Sequence, residues 1–419
     1  MTNKFTLRCG WCEQRHQSDA GATRCRVCDG PLRVDVDVRA VTGRAPGSLR
    51  DATLSGLWSW FDFLPITDRG AIVTLGEGDT PLLRAPRLGR ALGVGELLLK
   101  DESRNPTGSF KDRMLTVGIT RAMELGKRVV AVQSSGNVGA AAAAYAARAG
   151  IEAKIFVPRT APPEKVLQAQ MYGADVVRID HDSPAAIFDL LRWACDQFGW
   201  YLVSTAAIYN PVTLEGAKTI AYELAEALAF DLPDWMIVPV GGGGNIGSLW
   251  RGFTDLRALG LVSRLPRMVG VQAAGCAPFV DAIRQDRTAQ EALVLRWSEV
   301  NTVAGAIADD VVFDAHIALP AVRESGGTAV AVADSETLAM EGALAKTEGL
   351  FVEPAAATTL AALQRLVREG VVHSTDRVVC LITGTGLKDP RAASRLVSPV
   401  DTVPLDRRAI AAWVVAHPT

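Results

Sequence analysis

The sequence predicts an α/β protein in which short parallel strands alternate with helices. Short apolar segments recur between helical stretches, turns of small polar residues follow several of them, and paired cysteines mark a separate N-terminal module. The clearest predicted strands lie at residues 128–132, 153–157, 175–179 and 201–203. Each is followed by a segment of helical character, which is the βαβ pattern of a parallel sheet.

The composition is that of an ordinary folded protein. The chain has 419 residues, of which 48% are hydrophobic and 21% charged, and its formal net charge is −2. This weak charge provides no global basic field for nucleic acid or a membrane surface. No apolar run is long enough to cross a bilayer, and residues 1–4 do not open a signal peptide, so we expect a cytoplasmic protein without a membrane partner.

Two Cys-x-x-Cys pairs lie close to the N-terminus, formed by Cys9, Cys12, Cys25 and Cys28. Four thiolates at this spacing suit a closed tetrahedral zinc site, which leaves no open position for catalysis. A redox-active pair is the less favoured alternative, because both pairs lie in a short polar segment without a βαβ pattern. We therefore expect structural Zn²⁺; His16 lies between the pairs but is not needed as a ligand.

Lys111 is the strongest candidate for chemistry. It follows a turn containing Pro106, Gly108 and Ser109 and precedes a largely apolar helical stretch. In the first turn of a helix the local field disfavours a second positive charge and helps to lower the pKa of a lysine. Such an amine can attack an aldehyde cofactor and later act as a base. An isolated lysine is more often solvated, but three distant segments complete a site around this one.

A run of glycines follows the apolar segment at residues 235–240 and leads into a predicted helix. Consecutive glycines let backbone N–H groups converge on an anion, and a helix N-terminus adds a favourable dipole. The run lacks the Lys-Ser/Thr of a Walker loop and does not fit a dinucleotide fingerprint. Tight strand-to-helix turns also use glycine, yet the favoured prediction is a phosphate cradle formed by Gly241, Gly242, Gly243, Gly244 and Asn245.

Two further turns follow predicted strands. The first, SSGN at residues 134–137, offers hydroxyl, amide and N–H groups suited to a substrate carboxylate and a cofactor hydroxyl, although simple helix capping uses the same residues. The second begins at Thr383, whose hydroxyl suits a neutral pyridine nitrogen. We expect the three turns to come from one parallel sheet and to meet at the carboxyl ends of its strands, with Lys111 beside pyridoxal phosphate.

Together these residues resemble the fold-type II pyridoxal-phosphate enzymes, a group that includes tryptophan synthase β, and within that group the threonine synthases. The similarity rests on the segments GEGDTPL (76–82), NPTGSFKDR (105–113), VEPA (352–355) and TGTGLKDP (383–390), and covers roughly residues 75–390. It implies two parallel-sheet domains with the cofactor between them, joined to a small N-terminal zinc ribbon.

The resemblance also implies roles for individual residues. Lys111 would be the catalytic residue and would bind the cofactor aldehyde covalently. Asn137 would contact the ring hydroxyl, Thr383 the ring nitrogen, and the glycine run with Asn245 the phosphate. The substrate would be bound by Ser134, Ser135, Gly136, Thr107 and Ser109.

Two departures from the family pattern bear on the substrate. Gly242 and Gly243 stand where relatives commonly have Asn and Ala, which favours the serine and threonine dehydratases. Thr213 stands where an Arg that contacts the phosphate of O-phosphohomoserine is expected, and a hydroxyl cannot replace that bidentate clamp. Lys218 is close in sequence, and we expect it to supply the cation instead.

The predicted organisation has four parts. Residues 1–34 form the zinc ribbon, 35–74 a linker and N-terminal extension, 75–400 the catalytic body, and 401–419 a C-terminal tail with a helix. Within the body, a smaller domain of about residues 110–210 is nested in the larger one.

The leading functional hypothesis is a homodimeric threonine synthase, a carbon–oxygen lyase that converts O-phospho-L-homoserine and water to L-threonine and phosphate. The alternative performs β-elimination or β-replacement on serine, threonine or an O-activated analogue, as in threonine dehydratase or the cysteate and cysteine synthases. A nucleic-acid-binding regulator is the least favoured, because it is supported only by a modest basic patch of Arg8, Arg15, Arg24, Arg26 and Arg33.

Overall fold

The computed structural model describes residues 4–18, 24–41, 44, 48–181 and 183–417, with residues 39–40 described by backbone alone. Part of the predicted linker, at residues 42–43 and 45–47, lies outside the described residues, as do residues 19–23 of the predicted zinc ribbon. Residues 418–419 of the predicted C-terminal tail also lie outside them.

The N-terminal module is a three-stranded antiparallel sheet in the order β2-β1-β3. Its strands are β1 (Phe5–Cys9), β2 (Arg15–His16) and β3 (Leu32–Val36). Alternate residues of β1 and β3 are buried, as expected of strands with one covered face. That face packs against Trp58 and its neighbours in the 3₁₀ segment Gly56–Phe63, so the module lies directly on the body.

The body contains two sheets. The six-stranded sheet has the order β12-β11-β10-β13-β5-β4 and is parallel except for the edge strand β4, and the four-stranded parallel sheet has the order β8-β7-β6-β9. The strands are β4 (Leu82–Arg84), β5 (Glu96–Asp101), β6 (Val129–Gln133), β7 (Glu152–Pro158), β8 (Asp175–Ile179), β9 (Tyr201–Leu202), β10 (Trp235–Pro239), β11 (Arg267–Ala273), β12 (Thr328–Val332) and β13 (Arg377–Ile382).

Helices lie between successive strands of the body from β4 to β13, and the last two helices follow β13. The helices are α1 (Pro86–Leu92), α2 (Lys111–Glu124), α3 (Asn137–Ala149), α4 (Pro163–Met171), α5 (Pro184–Phe198), α6 (Glu215–Ala227), α7 (Gly244–Ala258), α8 (Pro278–Arg284), α9 (Ala289–Val294), α10 (Ala315–Ser325), α11 (Asp334–Glu348), α12 (Pro354–Arg368), α13 (Pro390–Ala393) and α14 (Arg407–Ala416). No helix among the described residues is both long and apolar enough to span a bilayer.

The central strands of the six-stranded sheet are buried on both faces. On β10, Met236 and Val238 belong to one hydrophobic cluster, whereas Trp235 and Ile237 belong to another. This alternation explains why β10 is a continuous apolar run in the sequence, since helices cover both faces of a parallel sheet. The turns after β10 and β13 therefore extend from strands that are packed on both faces.

One expectation about the turns was wrong. The SSGN turn follows β6, which belongs to the four-stranded sheet, whereas the glycine run and Thr383 follow β10 and β13 of the six-stranded sheet. The reason is pairing: β6 hydrogen-bonds to β7 and β9 and packs in a hydrophobic cluster of its own with α2 and α3. In the chain, strands β6 to β9 come between β5 and β10, which both belong to the six-stranded sheet.

Candidate active site

A cavity of about 1080 Å³ is lined by turns that follow strands of both sheets. Residues 134–138 follow β6, residues 204–206 follow β9, and residues 240–246 follow β10. The lining also includes Thr383, directly after β13. A volume of this size accommodates a cofactor together with a small substrate.

Lys111 begins α2 and points into this cavity. Its Nζ lies 3.3 Å from Thr205 Oγ1 and 4.5 Å from the centre of the Phe110 ring. Burial lowers the pKa of Lys111 to about 8, although Asp309 and Asp314 oppose the shift. A substantial fraction of the amine is therefore neutral near physiological pH, as a nucleophile and base requires.

A buried ionic network fixes the start of α2. Arg113, two residues after Lys111, is completely buried and donates to Glu102 Oε2 at 2.6 Å and to Glu223 Oε1 at 2.6 Å. Lys100 also pairs with Glu223, at 2.8 Å. Because an unpaired buried charge is costly, these groups constrain the direction of α2 and hence of Lys111.

The glycine run has the geometry of an anion cradle. Gly243 has φ of 100°, and a Cβ there would lie 2.7 Å from the Cβ of Ala318. The absence of a side chain at Gly241 lets Asp309 approach, and the carboxylate of Asp309 accepts a hydrogen bond from the Gly242 N–H. A backbone N–H group of the cradle thus already donates to an anionic group, the carboxylate of Asp309.

Asn245 completes the cradle. It lines the cavity, is 8% exposed, and neither its side-chain oxygen nor its nitrogen has a hydrogen-bond partner. A buried amide without partners is costly and indicates a ligand that supplies them. The phosphate of a pyridoxal cofactor fits this cradle, since it can accept hydrogen bonds from backbone N–H groups and from the amide.

The polar turn after β6 meets Thr383 through a carboxylate. Asn137 Nδ2 donates to Glu353 Oε2 at 3.0 Å, and Thr383 Oγ1 donates to Glu353 Oε1 at 3.1 Å. Burial raises the pKa of Glu353 above its usual value. All three residues line the cavity, as do Ser134, Ser135 and Gly136. The predicted ring-binding residues therefore face one space from opposite sheets.

Three residues that were predicted to bind substrate lie outside the cavity lining. Thr107 Oγ1 lies 3.0 Å from Asp112 Oδ2, Ser109 is completely buried, and neither residue belongs to the cavity lining. Lys218, also outside the lining, pairs with Glu215 at 2.9 Å and with Asp255 at 3.0 Å. In place of the predicted substrate contact, Lys218 neutralises these carboxylates, because a buried ammonium needs a paired charge.

Thr213 likewise does not belong to the cavity lining. It is completely buried, and its Oγ1 lies 2.8 Å from where a Cβ on Gly118 would stand. The side chain at this position therefore packs on α2 and makes no contact with the cavity.

Several cavity residues had not been given a role from the sequence: Thr205, Asp309, Asp314, Glu353, Lys165 and Lys388. Asp314 is the N-cap residue of α10, and burial raises the pKa of its carboxyl group to about 8. Two sequence signals were available, because Glu353 and Lys388 fall within the family-like segments VEPA and TGTGLKDP. The remaining residues have no such context, and only their place in the fold reveals them.

The four cysteines of the N-terminal module converge. Their Sγ atoms all lie within 4.8 Å of one another, with Cys9 and Cys28 at 3.5 Å and Cys12 and Cys25 at 3.6 Å. Backbone N–H groups of Trp11 and Cys12 point to Cys9 Sγ. Four thiol groups at this spacing fit a tetrahedral metal ion, with metal–sulfur distances of about 2.3 Å for zinc.

Comparison with known proteins defines the class. Residues 73–384 match the family described as "Pyridoxal-phosphate dependent enzyme". The chain therefore belongs to the pyridoxal-phosphate dependent enzymes, and its cofactor is pyridoxal phosphate. The lysine, glycine cradle and partnerless Asn245 described above are the groups that fit it.

The curated proteins that this chain resembles include several threonine synthases. The chain is 39% identical to the threonine synthase of Methanocaldococcus jannaschii over 93% of this chain and 94% of the relative. It is 41% identical to the threonine synthase of Mycobacterium leprae, over 83% of this chain and 92% of the relative. Among solved structures, threonine deaminase isoform 2 from Solanum lycopersicum has a TM-score of 0.66 at 20% identity, covering 81% of this chain and 92% of that one. The last similarity shows the shared fold.

Proposed function

We propose that this protein is a threonine synthase, a lyase that converts O-phospho-L-homoserine and water to L-threonine and phosphate. The observation that carries the proposal is the similarity to curated threonine synthases, 39% identical over 93% of the chain in one case. The cavity supports it, because Lys111, the glycine cradle and Thr383 lie around one space large enough for cofactor and substrate.

The cofactor supplies an electron sink that makes the Cα–H bond of a bound amino acid acidic. The glycine cradle and Asn245 anchor the phosphate end, and Asn137 and Thr383 orient the ring. Ser134, Ser135 and Gly136 lie where the substrate carboxylate can be received, since a serine hydroxyl and backbone N–H groups donate to an anion.

Lys111 performs the proton transfers. With a pKa lowered to about 8, its Nζ can remove the Cα proton as a free amine and return a proton as an ammonium. Thr205 Oγ1, 3.3 Å away, holds the Nζ in position while the proton is exchanged. A second proton leaves Cβ as phosphate departs from Cγ, and a proton is then delivered to Cγ to form the methyl group. Water finally adds its hydroxyl at Cβ and its proton at Cα, which completes the conversion to threonine.

The test is release of phosphate and threonine from O-phospho-L-homoserine by the purified, cofactor-loaded protein. We expect the two products in equal amounts. Lys111→Ala should lower turnover by at least about a thousandfold, because it removes the base and the covalent attachment together. Lys346→Ala, at an exposed position on α11, is the matched control and should leave turnover unchanged.

A different substrate pattern would point to the alternative. If O-phospho-L-homoserine is inert while serine, threonine or O-phosphoserine is converted, the enzyme is a β-eliminating or β-replacing relative. Two sequence features favour this outcome: the all-glycine cradle, with Gly242 and Gly243, and Thr213 in place of the expected Arg.

The metal, assembly and location are parts of the same proposal. The four convergent thiols support a structural Zn²⁺, which metal analysis of the purified protein would measure as about one ion per chain. We also propose a cytoplasmic homodimer, in keeping with the fold-type II enzymes that the sequence resembles. Light scattering coupled to size exclusion would determine the assembly.

A further inference from the structure

The cavity has few cations available for a second phosphate. In the part of the chain that the structure describes, Lys111, Lys165 and Lys388 are the cationic residues of the lining. Lys111 serves the cofactor, and Lys218 lies outside the cavity. The cofactor phosphate would occupy the glycine cradle, and Gly241 to Asn245 include no cationic side chain for a second phosphate. A substrate phosphate must therefore be bound by cavity residues other than the glycine cradle.

Lys388 has an unusual environment for a lysine. Its Nζ donates to the neutral amide oxygen of Gln168 at 2.6 Å, and its Cε lies 3.4 Å from where a Cβ on Gly108 would stand. Gly108 is three residues before Lys111, so this ammonium lies beside the turn that carries the reactive amine. Burial lowers the pKa of Lys388, while Asp112 and Glu353 oppose the shift. A partly buried cation that is hydrogen-bonded to a neutral group gains from a new anionic partner.

Lys165 supplies a second charge on the same side of the cavity. It lies on α4 three residues before Gln168, and such residues share one face of a helix. Its Nζ pairs with Asp389 Oδ2 at 3.0 Å, and Asp389 directly follows Lys388. The two lysines thus extend from the two sheet regions toward each other, one from α4 and one from the turn after β13.

We propose that Lys388, assisted by Lys165, binds the phosphate of O-phospho-L-homoserine. This inference rests on the proposed function and deepens it by assigning the substrate-phosphate site. On binding, the dianion would take over the ammonium groups from Gln168 and Asp389. No covalent step is involved, and both lysines act as hydrogen-bonding cations that fix the leaving group.

Charge-removing variants of the cofactor-loaded enzyme test this assignment. Lys388→Gln replaces the ammonium with a neutral amide on a side chain one atom shorter, Lys388→Arg keeps a charge, and Lys165→Gln tests the second position. Arg391→Gln is the matched control, because Arg391 pairs with Glu164 close by but does not line the cavity. Three quantities are measured: KM for O-phospho-L-homoserine, inhibition by inorganic phosphate, and the Kd for L-threonine from the absorbance change on binding.

For Lys388→Gln we expect KM and the inhibition constant of phosphate to rise by about tenfold to a hundredfold. The Kd for L-threonine, which has no phosphate, should stay within about twofold. Lys388→Arg should recover part of the loss, Lys165→Gln should show a smaller increase, and Arg391→Gln should resemble the unaltered enzyme.

Two results would overturn the assignment while leaving the proposed function intact. One is an unchanged KM in Lys388→Gln, and the other is an equal loss of L-threonine binding, which would show a merely structural role. If the unaltered enzyme releases no phosphate from O-phospho-L-homoserine, the proposed function itself fails and this assignment fails with it.

Discussion

Glu353 accepts a hydrogen bond from Asn137 Nδ2 at 3.0 Å, across the space between the two sheets of the body. Asn137 is the first residue of α3, the helix that follows β6 of the four-stranded sheet. Glu353 precedes α12, which packs on the six-stranded sheet. The same carboxylate accepts from Thr383 Oγ1. A single buried side chain therefore links the residues predicted to hold the ring hydroxyl and the ring nitrogen.

We predict that Glu353→Gln weakens cofactor binding by about tenfold. The amide keeps the shape of the side chain but replaces one acceptor oxygen with a donor, so it cannot accept from Asn137 and Thr383 together. The measurement is an absorbance titration of cofactor-free protein with pyridoxal phosphate. Glu341→Gln is the control, since Glu341 is also buried but lies outside the cavity lining. Equal affinity in both variants would show that Glu353 does not organise the ring site.

Gly243→Ala tests the cradle. The new Cβ would stand 2.7 Å from Ala318 Cβ at a residue with φ of 100°, so the backbone must shift. We expect the affinity for pyridoxal phosphate to fall by at least about tenfold, because the N–H groups no longer converge. Gly260→Ala provides the comparison, since Gly260 has φ of 72° with no atom within 4 Å of an added Cβ. A loss of affinity in Gly260→Ala would indicate general destabilisation rather than a local effect.

The rate of cofactor capture should depend on pH through Lys111. Its pKa is lowered to about 8 by burial, so the neutral amine becomes abundant as pH rises toward that value. When pyridoxal phosphate is added to cofactor-free protein, the rate should rise about tenfold per pH unit below 8 and level off above it. A rate that climbs steadily to pH 10 would assign Lys111 the pKa of an ordinary solvated lysine.

Removing one thiol should release the metal. Cys12→Ser leaves three of the four convergent sulfur ligands, and we expect bound zinc to fall from about one ion per chain to near zero. The melting temperature should fall with it, because the module packs on Trp58 of the body. Cys195→Ala changes a cysteine outside the cluster and should retain the metal. Full zinc content in Cys12→Ser would exclude the four-thiolate site.

Particular residues show why the sequence was informative about chemistry. Lys111, the glycine run and Thr383 lie at strand-to-helix turns or helix starts, where local sequence patterns are strong. The strand Asp175–Ile179 was predicted with the bounds it has in the structure, and Gly150 ends α3 in the left-handed conformation that is common at helix ends. Such features depend on neighbours a few residues away, which is why they are readable without the fold.

Lys218 and Thr213 show the opposite case. Both lie close in sequence to the segment expected to bind substrate phosphate, yet Lys218 pairs with Asp255, 37 residues further along the chain, and Thr213 packs on Gly118. Proximity in sequence gave the wrong neighbour, because the partner that neutralises a buried charge is chosen by helix packing.

By itself, the sequence determined the α/β class and the family, and it singled out Lys111 and the four cysteines as candidates, because each depends on local periodicity or on short motifs. Only the tertiary structure decided that the turns come from two sheets, that Glu353 joins Asn137 to Thr383, and that Lys388 lies beside the turn before Lys111. The physical reason is that strand pairing and the neutralisation of buried charge join residues far apart in the chain, and no local pattern specifies those partners.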